Sequence, residues 1–205
     1  MSQIEIHPFE PYVPDGARFL FLGTFPPKAE KWSMEFFYPN KINDMWRIMG
    51  LLFFADRDHF WNAEERRFLI EPIKRFLDSR RIAMYDTARR VRRLKDNASD
   101  KFLDIVEPVN LEAMLTATPS IEVVVTTGEK AASVVAMLTG SEVPAVGECQ
   151  EIEVAGRTVR HYRMPSTSRA YPLALEKKAA AYGALFQREG VIVRSVYCTF
   201  YYLFA

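Results

Sequence analysis

The sequence predicts an α/β protein, a three-layer α/β/α sandwich around a central, mostly parallel, four-stranded sheet. Two apolar runs carry this prediction, at residues 18–23 and 121–126. The first is apolar without alternation, as strands buried on both faces require, and the second is rich in β-branched residues, which favour strands. Amphipathic segments lie between the strand candidates, which is the order of βαβ units. Because the chain has 205 residues and shows no repeat or linker, we expect residues 1–205 to form a single domain.

The other predicted elements follow from caps, turn residues and periodicity. Asn43 is expected to cap a helix that begins at Asp44, and Asn110 a short helix that ends at Ala117. Gly140 and Gly190 each mark a helix end. The remaining predictions, in chain order, are a helix over 63–79 broken near Pro72, a strand over 81–85, a helix over 128–138, a hairpin over 151–162, a helix over 173–187 and a strand over 191–193.

Composition excludes several classes of protein. The apolar fraction of 49% is that of a globular protein, and the net charge of +1 requires no anionic partner for the chain as a whole. The cysteines, Cys149 and Cys198, and three scattered histidines fit neither a disulfide framework nor a metal motif, so no metal site is expected. The first residues show no leader pattern and no run of 18 apolar residues occurs. We therefore expect a cytoplasmic protein without a membrane span.

Four short segments look like loops that leave strand ends and gather at one site. They are residues 23–27, 85–87, 126–130 and 164–168, and each follows an apolar run. Three are rich in Gly, Pro, Ser or Thr, which let a backbone turn and approach a ligand closely. In open parallel sheets, ligands bind outside the carboxyl ends of the strands. The sequence therefore predicts one site, formed by these four loops.

Taken together, these segments resemble the uracil-DNA glycosylase superfamily, nearest its mismatch-specific and hypoxanthine-DNA glycosylase branches. Residues 20–27, 37–39 and 43–46 resemble the first motif region, which ends in an Asn-x-x-Trp helix start. Tyr85-Asp86 with the later residues 98–100 is similar to the next segment. Residues 126–131 resemble the third strand and turn, and 164–168 the loop that contacts DNA. The matches run in family order from about residue 18 to residue 186.

The resemblance implies a uracil-DNA glycosylase-like fold and a monofunctional DNA glycosylase. Such an enzyme hydrolyses the N-glycosidic bond of a deaminated or mismatched base, such as uracil or hypoxanthine, that is flipped out of DNA, and needs no cofactor. The chain departs from the family pattern at several points, which include the spacing of Pro39 and Asn43 and the residues Arg169-Ala170-Tyr171 after the last loop. Tyr38 replaces a histidine, no Asp follows Gly23, and no His lies beside Ser166. The alternative is a catalytically weak member that binds nucleic acid without base excision. A more distant alternative is a small α/β hydrolase using Ser166 or Ser168, although no Gly-x-Ser-x-Gly elbow is present.

The candidate site residues fall into three groups. Asn43 is the first catalytic candidate, because an amide can position water or bond a base edge; the alternative is a purely structural helix cap. Thr24 is the second, because its backbone N–H could act as an oxyanion-type donor. Base-binding candidates are Gly23, Phe25, Phe36, Phe37, Asn40, Thr127 and Gly128, and DNA-binding candidates are Ser166, Thr167, Ser168, Arg169, Lys130, Arg90 and Arg93.

Three expectations concern segments outside these groups. The basic run within residues 80–95, densest from Arg89 on, is either a phosphate-tracking surface or a solvated face. For Asp86, capping of a helix from Thr87 is preferred to a role as a general base. The aromatic residues 197–205 are expected to pack on the protein or in a dimer contact, and a monomer is the expected state.

Overall fold

The computed structural model describes residues 3–94 and 102–194. The strands are β1 (Ile4–Ile6), β2 (Phe19–Gly23), β3 (Trp61–Asn62), β4 (Arg67–Phe68), β5 (Ile82–Asp86), β6 (Ala88–Arg93), β7 (Leu103–Pro108), β8 (Val123–Thr127), β9 (Cys149–Val154) and β10 (Arg157–Met164). The helices are α1 (Met45–Phe54), α2 (Ile70–Arg80), α3 (Leu111–Ala117), α4 (Glu129–Thr139) and α5 (Leu175–Arg188), with a short 3-10 turn at Ala29–Lys31.

The central sheet has five strands, in the order β5-β2-β8-β10-β9. The first four are parallel, and β9 pairs antiparallel with β10. The sheet is thus mostly parallel, as predicted, but the predicted number of four strands is wrong. The turn after Val154 folds both arms of the predicted hairpin into the same sheet, so the first arm adds an edge strand.

A second, three-stranded sheet covers one end of the molecule, in the order β1-β6-β7. Its central strand is β6, which begins at Ala88, so a strand stands where a helix from Thr87 was expected, and Asp86 is not a helix cap. Both neighbours pair antiparallel with β6 and supply hydrogen bonds to the arginine-rich run. The N-terminal segment is thereby brought beside the carboxyl end of β5.

Helix α2 is shorter than predicted, because residues 63–69 belong to a small antiparallel hairpin of β3 and β4. Pro72 lies in the first turn of α2. Backbone N–H groups in this turn have no partner within the helix, so the missing N–H of Pro72 does not break α2. The predicted cap of α3 is confirmed, since Asn110 Oδ1 accepts the Ala113 N–H at 2.9 Å. Residues 191–193 are not a strand, and residues 197–205 lie outside the described residues.

The main core joins the sheet to three of the helices. Phe21 of β2 stacks on Tyr182 and Phe186 of α5, and Phe53 of α1 contacts both Phe186 and Phe76 of α2. Helices α3 and α4 contact the sheet at β8 and β9. This packing fixes the strand ends from which the site loops leave.

Candidate active site

The four predicted loops meet at one cavity of about 610 Å³, at the carboxyl ends of the parallel strands. Each strand end contributes to its wall: Gly23 of β2, Asp86 of β5, Thr127 of β8 and Ser166 after β10. The volume is in the usual range for small-molecule sites. The four loops therefore converge at one end of the parallel sheet, as the strand-end argument predicts.

The cavity wall contains about half of the predicted site residues. Those that line it are Gly23, Thr24, Phe25, Asn40, Asn43, Thr127, Ser166, Thr167 and Ser168. Those that do not are Phe36, Phe37, Gly128, Lys130, Arg169, Arg90 and Arg93. Several other residues of the wall were not selected from the sequence, namely Tyr38, Asp86, Ile42, Ala170, Tyr171 and Pro172.

Gly23 gives Asp86 room at the end of the sheet. The two residues are register partners on β2 and β5. A Cβ atom on Gly23 would overlap Asp86 Oδ1 and would lie 3.2 Å from the Tyr38 hydroxyl oxygen. The backbone of Gly23 is not in the left-handed region. Glycine is required here by close approach rather than by backbone conformation.

The Asp86 carboxylate is buried and paired with a histidine from the other end of the chain. His7 Nε2 donates to Asp86 Oδ2 at 2.9 Å, and the exposed fractions of the two side chains are 2% and 10%. His7 Nδ1 lies 2.8 Å from the Phe9 carbonyl oxygen. The backbone N–H of His7 donates to Arg89 O, which fastens the segment to β6. No sequence pattern links residues 79 positions apart, so only the sheet β1-β6-β7 reveals this pair.

Asn43 lies just before α1. Its Oδ1 accepts the N–H of Met45 at 2.9 Å, and its own backbone N–H donates to Asn40 O at 2.8 Å. The helix begins at Met45, and Asp44 rather than Asn43 occupies the N-cap position. Asn43 also forms a β-bridge with Ser168, so the two sides of the cavity meet at its backbone. The carboxamide oxygen is used structurally, and the NH₂ group is the part of the Asn43 side chain available for chemistry.

The serine-rich loop folds on itself and is attached to the start of α1. Ser166 Oγ accepts the Ser168 N–H, and Ser168 Oγ accepts the Ala170 N–H, at 3.3 and 3.2 Å. The Thr167 carbonyl accepts the Asp44 N–H at 2.8 Å. The Arg169 guanidinium pairs with Asp44 at 3.0 Å and is about 42% exposed. The loop is therefore held in one conformation beside Asn43.

Tyr38 occupies the position where the family pattern has a histidine. Its φ of 53° is in the left-handed region, which is strained for a tyrosine. The hydroxyl lies 2.9 Å from Thr127 Oγ1, which links the segment before α1 to the third loop, residues 126–130. Strain at a residue that lines a cavity commonly accompanies a functional constraint.

The aromatic wall of the cavity differs from the predicted one. Phe36 and Phe37 are core residues, 7% and 2% exposed, so neither can stack on a ligand in the cavity. Phe25 does line it, and its ring packs on a small apolar cluster with Val91 and Leu103. The rings that can form the wall are those of Phe25, Tyr38 and Tyr171.

The arginines from Arg89 to Arg93 lie on β6, in the three-stranded sheet, and have different roles. The prediction that Arg93 contacts DNA is wrong, because its guanidinium is buried, pairs with Glu5 at 2.8 Å and donates to Pro26 O at 2.7 Å. Arg93 therefore holds the first loop in place through the carbonyl of Pro26. Arg89 and Arg90 are 57% and 47% exposed and face Glu107 at 3.6 and 3.8 Å.

Two other predicted residues lie around the start of α4. Gly128 precedes the helix with a φ of 129°, a conformation that favours glycine, and it lies close to Ser166. Lys130 is half-buried in the first turn of α4. Neither lines the cavity. Within residues 3–94 and 102–194, no group of three or more His, Cys, Asp or Glu side chains could hold a metal ion. No helix in these ranges has the length and apolar character needed to cross a membrane.

Comparison with known proteins supports the fold. No family model matches the sequence, and no curated protein matches it. A solution NMR structure of a protein from Methanosarcina acetivorans, provisionally named a uracil DNA glycosylase, is similar to this chain with a TM-score of 0.58. The two sequences are 17% identical, and the match covers 91% of this chain and 98% of that one. The chain thus has a uracil-DNA glycosylase-like fold over nearly its whole length.

Proposed function

We propose that this protein is a monofunctional DNA glycosylase that hydrolyses the N-glycosidic bond of deaminated or mismatched bases, such as uracil or hypoxanthine. The observation that carries the proposal is the cavity at the carboxyl ends of the parallel strands. The wall of this cavity brings together Asn43, the turn from Gly23 to Pro27, Thr127 and the loop from Ser166 to Ser168. An enzyme that acts on a base must take it out of the stack into such a pocket.

The roles of the wall residues follow from their hydrogen-bonding capacity. The Asn43 NH₂ group orients the attacking water or bonds the base edge. Thr24 contributes its backbone N–H to the oxygen or nitrogen that gains charge as the base leaves. Asn40 and Thr127 contact base edges, and Phe25 stacks on the base face.

DNA is held outside the cavity. The loop of Ser166, Thr167 and Ser168 contributes to this contact chiefly through the hydroxyls of Ser166 and Ser168, which bind phosphate without reading sequence. Arg169 directly follows this loop, and we assign Lys130 and Arg90 to the same phosphate-binding role. We propose that these residues, rather than the net charge of +1, supply the electrostatic attraction to DNA.

A panel of duplexes tests the proposal. Duplexes that carry one uracil, hypoxanthine or xanthine opposite each normal base are incubated with the protein, and alkali-labile abasic sites are counted. Release of at least one of these bases, with no release from the undamaged duplex, is the expected result. Tight binding of all duplexes without base release would instead identify a protein that binds nucleic acid without excision.

A further inference from the structure

We infer that Asp86 is the catalytic carboxylate of this site and that His7 is its positioning residue. This inference rests on the proposed function and adds a group to it. The first loop carries no carboxylate, since Thr24 and Phe25 follow Gly23. Asp86 brings a negative charge to the same cavity from the neighbouring strand, β5.

Three contacts place this carboxylate. Oδ2 is held by His7 Nε2 at 2.9 Å, while Oδ1 faces the space over Gly23 that any side chain would fill. The Tyr38 hydroxyl borders the same space. The cavity wall thus has a carboxylate oxygen in a protected position, with a buried partner that fixes its orientation.

The charge decides which part of a substrate this carboxylate serves. Breaking the N-glycosidic bond leaves positive charge on the sugar and negative charge on the departing base. A fixed negative charge beside the base would oppose its departure, whereas the same charge facing the sugar stabilises the cation. Low water access strengthens this attraction. Asp86 therefore serves the sugar and the attacking water.

The reaction balances without another reactant. The C1′–N bond breaks and its electron pair leaves with the base. A water oxygen forms the new bond to C1′, and Asp86 takes the proton that the water loses. That proton then passes to the base anion through solvent, so the products are an abasic site and the neutral base.

His7 acts only through Asp86. Its ring is enclosed by Phe25 and Tyr85, at centroid distances of 5.3 and 4.8 Å, so it has no route to a substrate. It holds Oδ2, whereas Oδ1 lies over Gly23, which like Asp86 belongs to the cavity wall. The N-terminal segment is in this way part of the site, although it lies outside all four loops.

Binding of abasic analogues tests the inference separately from excision. One duplex carries a pyrrolidine nucleotide, whose ring nitrogen is cationic at neutral pH, and a second carries the neutral tetrahydrofuran analogue. We expect the wild-type protein to bind the cationic duplex at least about tenfold more tightly. Asp86→Asn, which keeps an oxygen for His7, should remove most of this preference and slow excision of every base about a hundredfold.

Two further variants complete the experiment. Asp15→Asn removes an exposed carboxylate in the turn before β2 and should keep the full preference, which controls for net charge. His7→Gln should reduce the preference in part, with unchanged affinity for the neutral analogue. If Asp86→Asn does not fold, as judged by thermal unfolding, His7→Gln tests the inference through the ratio of affinities for the cationic and the neutral duplex.

Two results would overturn the inference while the proposed function stands. One is excision by wild-type protein together with an unchanged cationic preference in Asp86→Asn. The other is a changed ratio of excision between uracil and hypoxanthine with the cationic preference intact, which would make Asp86 a base-reading group. Failure of the wild-type protein to release or select any modified base would overturn the proposed function and this inference together.

Discussion

Lys178 of α5 is fully buried, and its ammonium group joins the two sides of the cavity mouth. Nζ donates to Asp44 Oδ2 at 2.9 Å and to the Ser168 carbonyl at 2.8 Å. Asp44 directly follows Asn43, and Ser168 belongs to the serine-rich loop. A buried charge is tolerated only when it is paired and hydrogen-bonded, and here both requirements are met by residues of the site. The position of Asn43 relative to the loop therefore depends on a helix that does not line the cavity.

Replacing Lys178 with Met should destabilise the protein by about 3 kcal/mol or more, because it leaves the Asp44 carboxylate buried with only Arg169. Urea unfolding measures this change. Lys177→Met, at the exposed neighbouring position, is the matched control and should cost less than about 0.5 kcal/mol. Equal effects of the two variants would show that the buried pair contributes nothing specific.

Two substitutions separate the chemical and structural roles of Asn43. Asn43→Ala removes both the carbonyl oxygen and the NH₂ group of the side chain. Asn43→Asp keeps an oxygen that accepts the Met45 N–H but lacks the NH₂ group. We expect excision to fall more than about tenfold in both variants, with stability lost mainly in Asn43→Ala, by about 1 kcal/mol. Single-turnover rates and thermal unfolding provide the two readouts. An Asn43→Asp variant with full activity would reduce Asn43 to a structural residue.

Gly23→Ala should reduce excision while leaving the protein folded. The added methyl group would overlap Asp86 Oδ1, so the carboxylate must move away from its position in the cavity. The backbone of Gly23 accepts alanine without left-handed strain. Gly147→Ala is a useful contrast, because that residue has open space but a φ of 85°, and it should affect stability without affecting excision. Normal excision by Gly23→Ala would show that the position of Asp86 is unimportant.

The exposed arginines of β6 should govern the salt dependence of DNA binding. Replacing Arg89 and Arg90 with Ala should weaken binding to all sequences alike, and each phosphate ion pair that is removed should lower the log-log salt slope by about one unit. Fluorescence titrations of a duplex at several salt concentrations measure the slope. Arg188→Ala, which is 52% exposed at the end of α5, is the control. A slope unchanged by the double substitution would assign this run to a solvated face.

Acid should destabilise the protein through His161. Burial lowers the pKa of this side chain from 6.5 to about 4. Nε2 lies 3.0 Å from Thr126 Oγ1. The other ring nitrogen, Nδ1, is buried and has no hydrogen-bond partner among the described residues, so nothing stabilises a proton there. The unfolded chain takes up a proton as the pH falls through 6.5, whereas the folded protein does so only near pH 4. Stability is therefore lost across this interval, by about 2 to 3 kcal/mol from this group.

Urea unfolding at about pH 7 and about pH 4.5 provides the measurement for this last prediction. Wild-type protein should lose about 2 to 3 kcal/mol more than His161→Leu over that interval, because leucine has no proton to gain. The difference between the two proteins removes the contribution of the carboxylates. Parallel losses in both would show that His161 takes its proton equally well in the folded state.

The sequence by itself determined the elements whose signals are local. An apolar run predicted β2, a β-branched run predicted β8, alternation of elements predicted a mostly parallel sheet, and turn residues after each strand predicted that the four loops converge. These predictions succeed because burial on both faces and backbone turning leave their mark within a few residues. The same reasoning selected Asn43, Thr127 and Ser166 for the cavity wall.

Only the tertiary structure decided which long-range partners the site has. The arginine-rich run after Asp86 has no local signal that distinguishes a capped helix from a strand, and it becomes β6 because β1 and β7 supply its hydrogen bonds. The pairs His7–Asp86 and Lys178–Asp44 join residues 79 and 134 positions apart. Charge pairing and burial depend on distance in space, which no spacing along the chain encodes. The loops of this site could therefore be predicted from the sequence, but the buried groups that hold them could not.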